Sequence, residues 1–316
     1  MSKLAWIPEL LVSIALVWWL LDNFSFAPVI DRMGGIRAVE LIGILALATA
    51  QFLMFGLRWW LVGRGCAAEL PVPAAVRIAF ISMFFNQTLP TTVSADIVRS
   101  YLASREGVPV QRAIVGVVLD RIVGALALLG LVVATLPAFH AVVPNSTLRG
   151  GLTAVAFAGV LASGLLLLSG GRVAQLLKRW RVMRPVGILT EDLRGLLTRP
   201  SAIAIAALGI ALHLASVGLV ILLAAAMDIR LDPLAALVLV LPVILIIMIP
   251  VSIAGWGVRE GAMVVALAQA GVAAPDALAI SIAYGLAGLA ASLPGGVLWL
   301  HTGATLRKRD LPIARP

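Results

Sequence analysis

Leu89-Pro90-Thr91-Thr92-Val93-Ser94-Ala95 and, 160 residues further on, Ile249-Pro250-Val251-Ser252-Ile253-Ala254-Gly255 are the two places where long apolar stretches of this chain break. A proline removes one helical N–H and frees a carbonyl, so each stretch reads as two helical arms around a break near Pro90 or Pro250. The stretches, 74–107 and 233–272, align without a gap. Pro73 meets Pro233, Ala75 meets Ala235, Pro90 meets Pro250, Val98 meets Val258 and Arg99 meets Arg259. The spans that follow align at an offset of 164, with Ala113/Ala277, Gly124/Gly288 and Leu129/Leu293. That second match is weaker, because helices rich in Ala, Leu and Gly align with one another readily. Prolines shared by chance are the alternative to a true repeat.

Around these breaks the composition excludes a water-soluble chain. Apolar residues make up 61% of the 316 residues and charged residues 12%, with a mean hydropathy of +1.07. A soluble domain carries about 45–50% apolar and about 25% charged residues. Apolar runs long enough to cross a bilayer recur at about 6–21, 38–62, 112–137, 150–169, 202–227 and 276–301. The fold class expected is an all-α polytopic membrane protein, residues 1–316 forming one transmembrane domain of six full spans and two re-entrant or broken hairpins. Asp22-Asn23-Phe24 stands where a cleavage site would follow a signal peptide, so the first span is read as retained. Cys66 is the single cysteine, which excludes a disulfide framework and a cysteine-based metal centre.

The net charge of +9 is first a topological label. Segment 170–199 carries Arg172, Lys178, Arg179, Arg181, Arg184, Arg194 and Arg199, and the tail carries Arg307, Lys308, Arg309 and Arg315. Both are expected on the cytoplasmic side, with both termini inside. Only Arg32, Arg37, Arg149 and Arg230 fall in the segments expected outside. The stretch 170–199 mixes these basic residues with Leu176, Leu177, Trp180 and Leu193, and reads as an interfacial helix attracted to anionic lipid. A nucleic-acid partner is not needed to explain the charge. The topology closes only if each hairpin returns to its side of entry. The 38–62 span then runs inward and its counterpart 202–227 outward, so 38–137 and 200–301 would form an inverted repeat, an architecture of transporters.

The residues at the breaks suit an anion. Thr91, Thr92 and Ser94 after the first proline and Ser252 after the second are N-cap types for restarting helices. Each restart aims a helix N-terminus inward, with Arg99 or Arg259 five to seven residues along. Asn86, Gln87 and Thr88 add polar groups before the first break; Gly255 and Gly257 loosen the second. Asp120 and Arg121 lie within an apolar span, where each charge costs roughly 2.5–3.5 kcal/mol at mid-helix, so they need partners. Adjacent helical residues point apart, whereas Asp96 and Arg99 at i,i+3 can pair with each other or with Arg121 and Asp120. Arg259-Glu260 is the matching group. A structural ion-pair network that holds the broken helices together is the competing reading, and the two are compatible.

Other residues say less. His213, mid-span, is either a hydrogen-bonded packing residue or a proton or substrate group. Trp18, Trp19, Trp59, Trp60 and Trp299 near span ends read as interface anchors. Asn145-Ser146-Thr147 fits a glycosylation sequon but reads as a polar outer loop. His140, His213 and His301 lie on different spans or loops, and no HExxH or P-loop is present. The sequence predicts no enzyme, no catalytic residue, no metal and no cofactor.

Phe85-Asn86-Gln87-Thr88-Leu89-Pro90 with Ser94, Asp96, Arg99 and Asp120-Arg121, together with Pro250-Val251-Ser252-Ile253-Ala254-Gly255-Trp256-Gly257-Val258-Arg259-Glu260-Gly261, resembles the lysylphosphatidylglycerol synthase transmembrane region family over nearly the whole chain. Ser94-Ala95 departs from the pattern, where glycines are common. The family includes the flippase half of the bifunctional multiple peptide resistance factor, which moves aminoacylated phosphatidylglycerol between leaflets, and stand-alone members, some associated with hopanoid or other lipid pathways. The sequence ends at Pro316, so a stand-alone member without the aminoacyltransferase domain is expected. The resemblance implies a flippase-like lipid translocase of the bacterial inner membrane. Its partner would be a membrane lipid with an anionic or zwitterionic headgroup, bound by Asn86, Thr91, Ser94, Asp96, Arg99, Asp120, Arg121, Ser252, Arg259 and Glu260. A non-transporting module that docks a lipid- or glycan-synthesising enzyme is the alternative; an intramembrane enzyme acting on headgroups has little support from the residue inventory.

Overall fold

The computed structural model describes residues 27–88, 94–168, 184–248 and 255–309. Pro90, Thr91, Pro250 and Ser252, the first expected span and residues 170–183 of the basic segment lie outside them. The described residues form eleven helices: α1 (Ala27–Gly34), α2 (Ala38–Gly65), α3 (Val72–Thr88), α4 (Ser94–Arg105), α5 (Val110–Val142), α6 (Ser146–Leu168), α7 (Arg184–Leu197), α8 (Ser201–Ala226), α9 (Pro233–Ile247), α10 (Val258–Ala268) and α11 (Ala274–Arg309). The protein is an all-helical polytopic membrane protein. Helices α2, α5, α6, α8 and α11 are long and apolar enough to cross a membrane.

The broken stretches become the helix pairs α3–α4 and α9–α10. At about 1.5 Å per residue, α4 with 12 residues and α10 with 11 reach roughly 16–18 Å, about half of a ~30 Å hydrocarbon core. Helix starts follow local chemistry. The Asp232 carboxylate accepts from the Ala235 N–H at 2.9 Å and caps α9, with Pro233 following it at the first helical position. Asn145, read from sequence as part of a polar outer loop, accepts from the Leu148 N–H at 3.0 Å at the start of α6.

One expected helix start moves. Helix α10 begins at Val258, so Arg259 stands in its first turn and not five to seven residues along. Gly255 and Gly257 adopt φ of +80° and +84°, a region that side chains disfavour, and this turn sets the start. The Gly257 N–H donates to Glu260 Oε2 at 2.6 Å.

Packing joins the two parts of the chain at every level. Helix α2 packs on α3, α5, α8 and α11; α8 packs on α9, α11, α2 and α5. Helix α3 lies against α4 and α11, and α9 against α10 and α5. Exchanging α2–α5 for α8–α11 therefore returns the same set of neighbours. Close approach uses small residues, as expected in lipid where van der Waals contact drives association. A Cβ on Gly56 of α2 would sit 3.1 Å from Ala79 of α3, and one on Gly209 of α8 would sit 2.8 Å from Ala127 of α5.

Candidate functional site

Three helices converge on one carboxylate. Helix α4 carries Asp96 and Arg99 one turn apart, α5 carries Asp120 and Arg121, and α2 brings Arg58. Asp120 Oδ1 accepts from Arg58 Nε at 2.8 Å and Oδ2 from Arg99 Nη1 at 2.9 Å. Arg99 Nη2 donates to Asp96 Oδ1 at 2.7 Å, and Arg121 Nε donates to Asp96 Oδ2. Arg99 and Asp120 are 2% and 0% exposed. The 100° turn between successive helical residues sends Asp120 into the protein and leaves the Arg121 side chain 44% exposed. Two aspartates among three arginines leave one positive charge in excess.

Aromatic rings complete the enclosure. The Arg99 guanidinium lies 4.6 Å from the Phe55 ring centroid and 5.4 Å from that of Trp59, a cation–π arrangement. Trp59 is thus corrected from interface anchor to core residue, 4% exposed, because the buried cation one helix away claims its face. Among the described residues Arg99 Nε has no hydrogen-bond partner.

Beside this network lies a cavity of about 280 Å³. Asn86, Asp96, Arg99, Asp120 and Arg121 line it, as do Arg58 and Phe55. Met83, Ala95 and Gly124 also line it, and from later in the chain come His213 on α8, Ile247 and Met248 at the end of α9, and Gly255. His213 Nε2 makes a 3.0 Å hydrogen bond with the Gly124 carbonyl of α5. An acceptor carbonyl there requires the proton on Nε2; in the neutral ring Nδ1 is then the acceptor.

Arg259 and Glu260 are not among the residues lining this cavity. Arg259 Nη2 donates to Glu260 Oε1 at 2.6 Å, and its Nε donates to the same oxygen at 3.0 Å and to Ser281 Oγ at 3.3 Å. The guanidinium lies 4.5 Å from the Trp256 ring and 5.8 Å from Tyr284. A Cβ at Gly285 would collide with it, so any larger residue there would force the guanidinium to shift. At the offsets of 160 and 164, Trp256 stands where the first stretch has Asp96, Tyr284 where it has Asp120, and Gly285 where it has Arg121. Arg99 thus meets two carboxylates and two rings, and its counterpart Arg259 one carboxylate, a hydroxyl and two rings.

The predicted residues thus separate into two groups: Asn86, Asp96, Arg99, Asp120, Arg121 and Gly255 meet at the cavity, while Arg259, Glu260 and Gly257 form a closed cluster. Ser94 begins α4. Sequence reasoning missed Arg58 as the second partner of Asp120; its signal was a cation inside an apolar span, and its partner is set by tertiary packing. A family model described as Lysylphosphatidylglycerol synthase TM region matches residues 6–296. No curated protein and no solved structure matches the chain.

Proposed function

The chain belongs to the Lysylphosphatidylglycerol synthase TM region family, a family of membrane domains, and from that premise we propose that it moves a polar or phosphate-bearing lipid between the leaflets of a bacterial inner membrane. The observation that carries this reading is the cavity of about 280 Å³, walled by charged residues with one positive charge in excess and by His213, Ile247 and Met248 of the second half. In hydrocarbon each such charge is costly, and intramembrane ionisable groups mark substrate paths. Arg121 and Arg99 would hold the anionic part of a headgroup, with Asn86 as a neutral donor. Asp96 and Asp120 would fix the two arginines. Arg259 and Glu260 would brace the second break.

In this reading 38–137 and 200–301 act as an inverted repeat, with both termini cytoplasmic, and the headgroup is exposed alternately to each face. A second, apolar space of about 530 Å³ between α5, α6, α9 and α10 suits acyl chains. Purified protein in proteoliposomes with labelled phospholipid tests the proposal. Arg121→Gln, which leaves the buried Arg99–Asp120–Arg58 pairs in place, is expected to slow translocation by about tenfold, as for loss of one charged hydrogen bond. Equal rates for wild type, Arg121→Gln and Arg99→Ala would remove the proposed site.

A further inference from the structure

Outside the cavity, four charged residues pair across the two halves of the chain in a related way. Arg32 on α1 donates through Nε to Asp276 Oδ1 on α11 at 3.0 Å, with side chains 42% and 21% exposed. Arg112 on α5 donates through Nη1 to Asp192 Oδ2 on α7 at 3.1 Å, with side chains 42% and 23% exposed. Asp192 lies 160 residues after Arg32, and Asp276 lies 164 after Arg112. These are the offsets that relate the broken stretches and the spans after them. The two ion pairs are therefore mates of one another with their charges reversed.

Each is seconded by a backbone contact of the same kind. Arg32 Nη1 donates to the carbonyl of Met227, at the end of α8, at 3.2 Å. Arg199, just after α7, donates through Nη1 to the carbonyl of Arg64, near the end of α2, at 3.3 Å. So the short helix before each half reaches across and fastens the other half. The two fastenings lie on opposite faces. Helix α2 is separated from α1 by three residues and ends beside α7, and its 28 residues span about 42 Å.

We propose that these two clips are the opposing gates of the protein: Arg32–Asp276 closes one membrane face, Arg112–Asp192 closes the other, and access alternates as one breaks while the other holds. A rocking of one half against the other cannot open a face without parting the clip that bridges the halves there. Partly exposed ion pairs are individually weak, which suits a gate that must open and close. A ligand or mutation need shift such a balance only modestly to change the exposed face. The inference rests on the alternating-access reading above.

The test uses Met83→Cys, in the cavity wall on α3, as a reporter in vesicles of fixed orientation. A membrane-impermeant maleimide is added from the α1 face or the α7 face. Arg32→Asp is expected to raise labelling from the α1 face relative to the α7 face by roughly two- to fivefold, the effect of one exposed pair. Arg112→Asp is expected to shift the ratio the other way. The swaps Arg32→Asp/Asp276→Arg and Arg112→Asp/Asp192→Arg should restore the wild-type ratio, which a general loss of stability would not allow. An unchanged ratio, a shift in the same direction from both clips, failure of the swaps to restore it, or no labelling from either face would overturn the inference. Lipid translocation is followed in the same vesicles. Sided labelling that obeys the clips without translocation sinks the translocase reading alone; translocation with labelling that ignores the clips sinks only the gates.

Discussion

Asp120 places one carboxylate between two buried guanidinium groups, and the cost of that arrangement predicts what its loss would do. Taking a charge out of water costs several kcal/mol, offset here by two direct ion pairs at 2.8 and 2.9 Å. Asp120→Ala would strip buried Arg58 of its carboxylate partner and leave Arg99 with Asp96 in place of two acids. The expected loss is about 3–5 kcal/mol of stability, read by unfolding in mixed detergent and SDS; a loss under ~1 kcal/mol would mean that water or lipid already shares the load. The need of Asp120 for a partner was legible in the sequence, since an acid inside an apolar span cannot face lipid. Which partner was not. Arg58 lies 62 residues away, and only the packing of α2 on α5 brings them together. Trp59 teaches the same lesson: its place near a span end suggested the interface, while the face it presents meets Arg99.

At the level of elements, the long apolar runs became helices because nothing but an internally hydrogen-bonded helix suits 20 apolar residues in lipid. The breaks were legible too, as prolines among small polar residues. Their geometry was less so. The second restart waits for Gly257, because two glycines at positive φ form the turn and Glu260 supplies the acceptor for the first free N–H. A reading from N-cap residue types alone favoured Ser252. Helix α9 shows the opposite case, a start written plainly as Asp232-Pro233. Asp232→Ala should cost about 0.5–2 kcal/mol, and faster amide exchange at Ala235 would locate the loss at that end. Exchange unchanged at Ala235 would show that packing on α5 and α8, not the cap, holds the helix start.

Across the whole molecule, Cys66 offers a single global reporter. It is 3% exposed where α2 ends, and burial pushes its thiol up to about 11. The folded thiol therefore stays protonated at pH 8 and gains thiolate only as the pH approaches 11. Maleimide labelling at pH 8 should be very slow in the folded protein and should rise sharply on unfolding, when the thiol returns toward its ordinary value of about 8.5. Fast labelling of folded protein would show that the α2 end opens locally. The clips have a consequence at this scale as well. Counting the short helices α1 and α7 with the halves they precede, both arginines, Arg32 and Arg112, belong to the first half, and both aspartates, Asp192 and Asp276, to the second. A first half meeting another copy of itself would set arginine against arginine at both contacts, and two second halves would set aspartate against aspartate. Unlike halves attract and like halves repel, so the four charges would also favour the mating of each first half with a second half and disfavour mispairing between identical halves of neighbouring molecules in a crowded membrane.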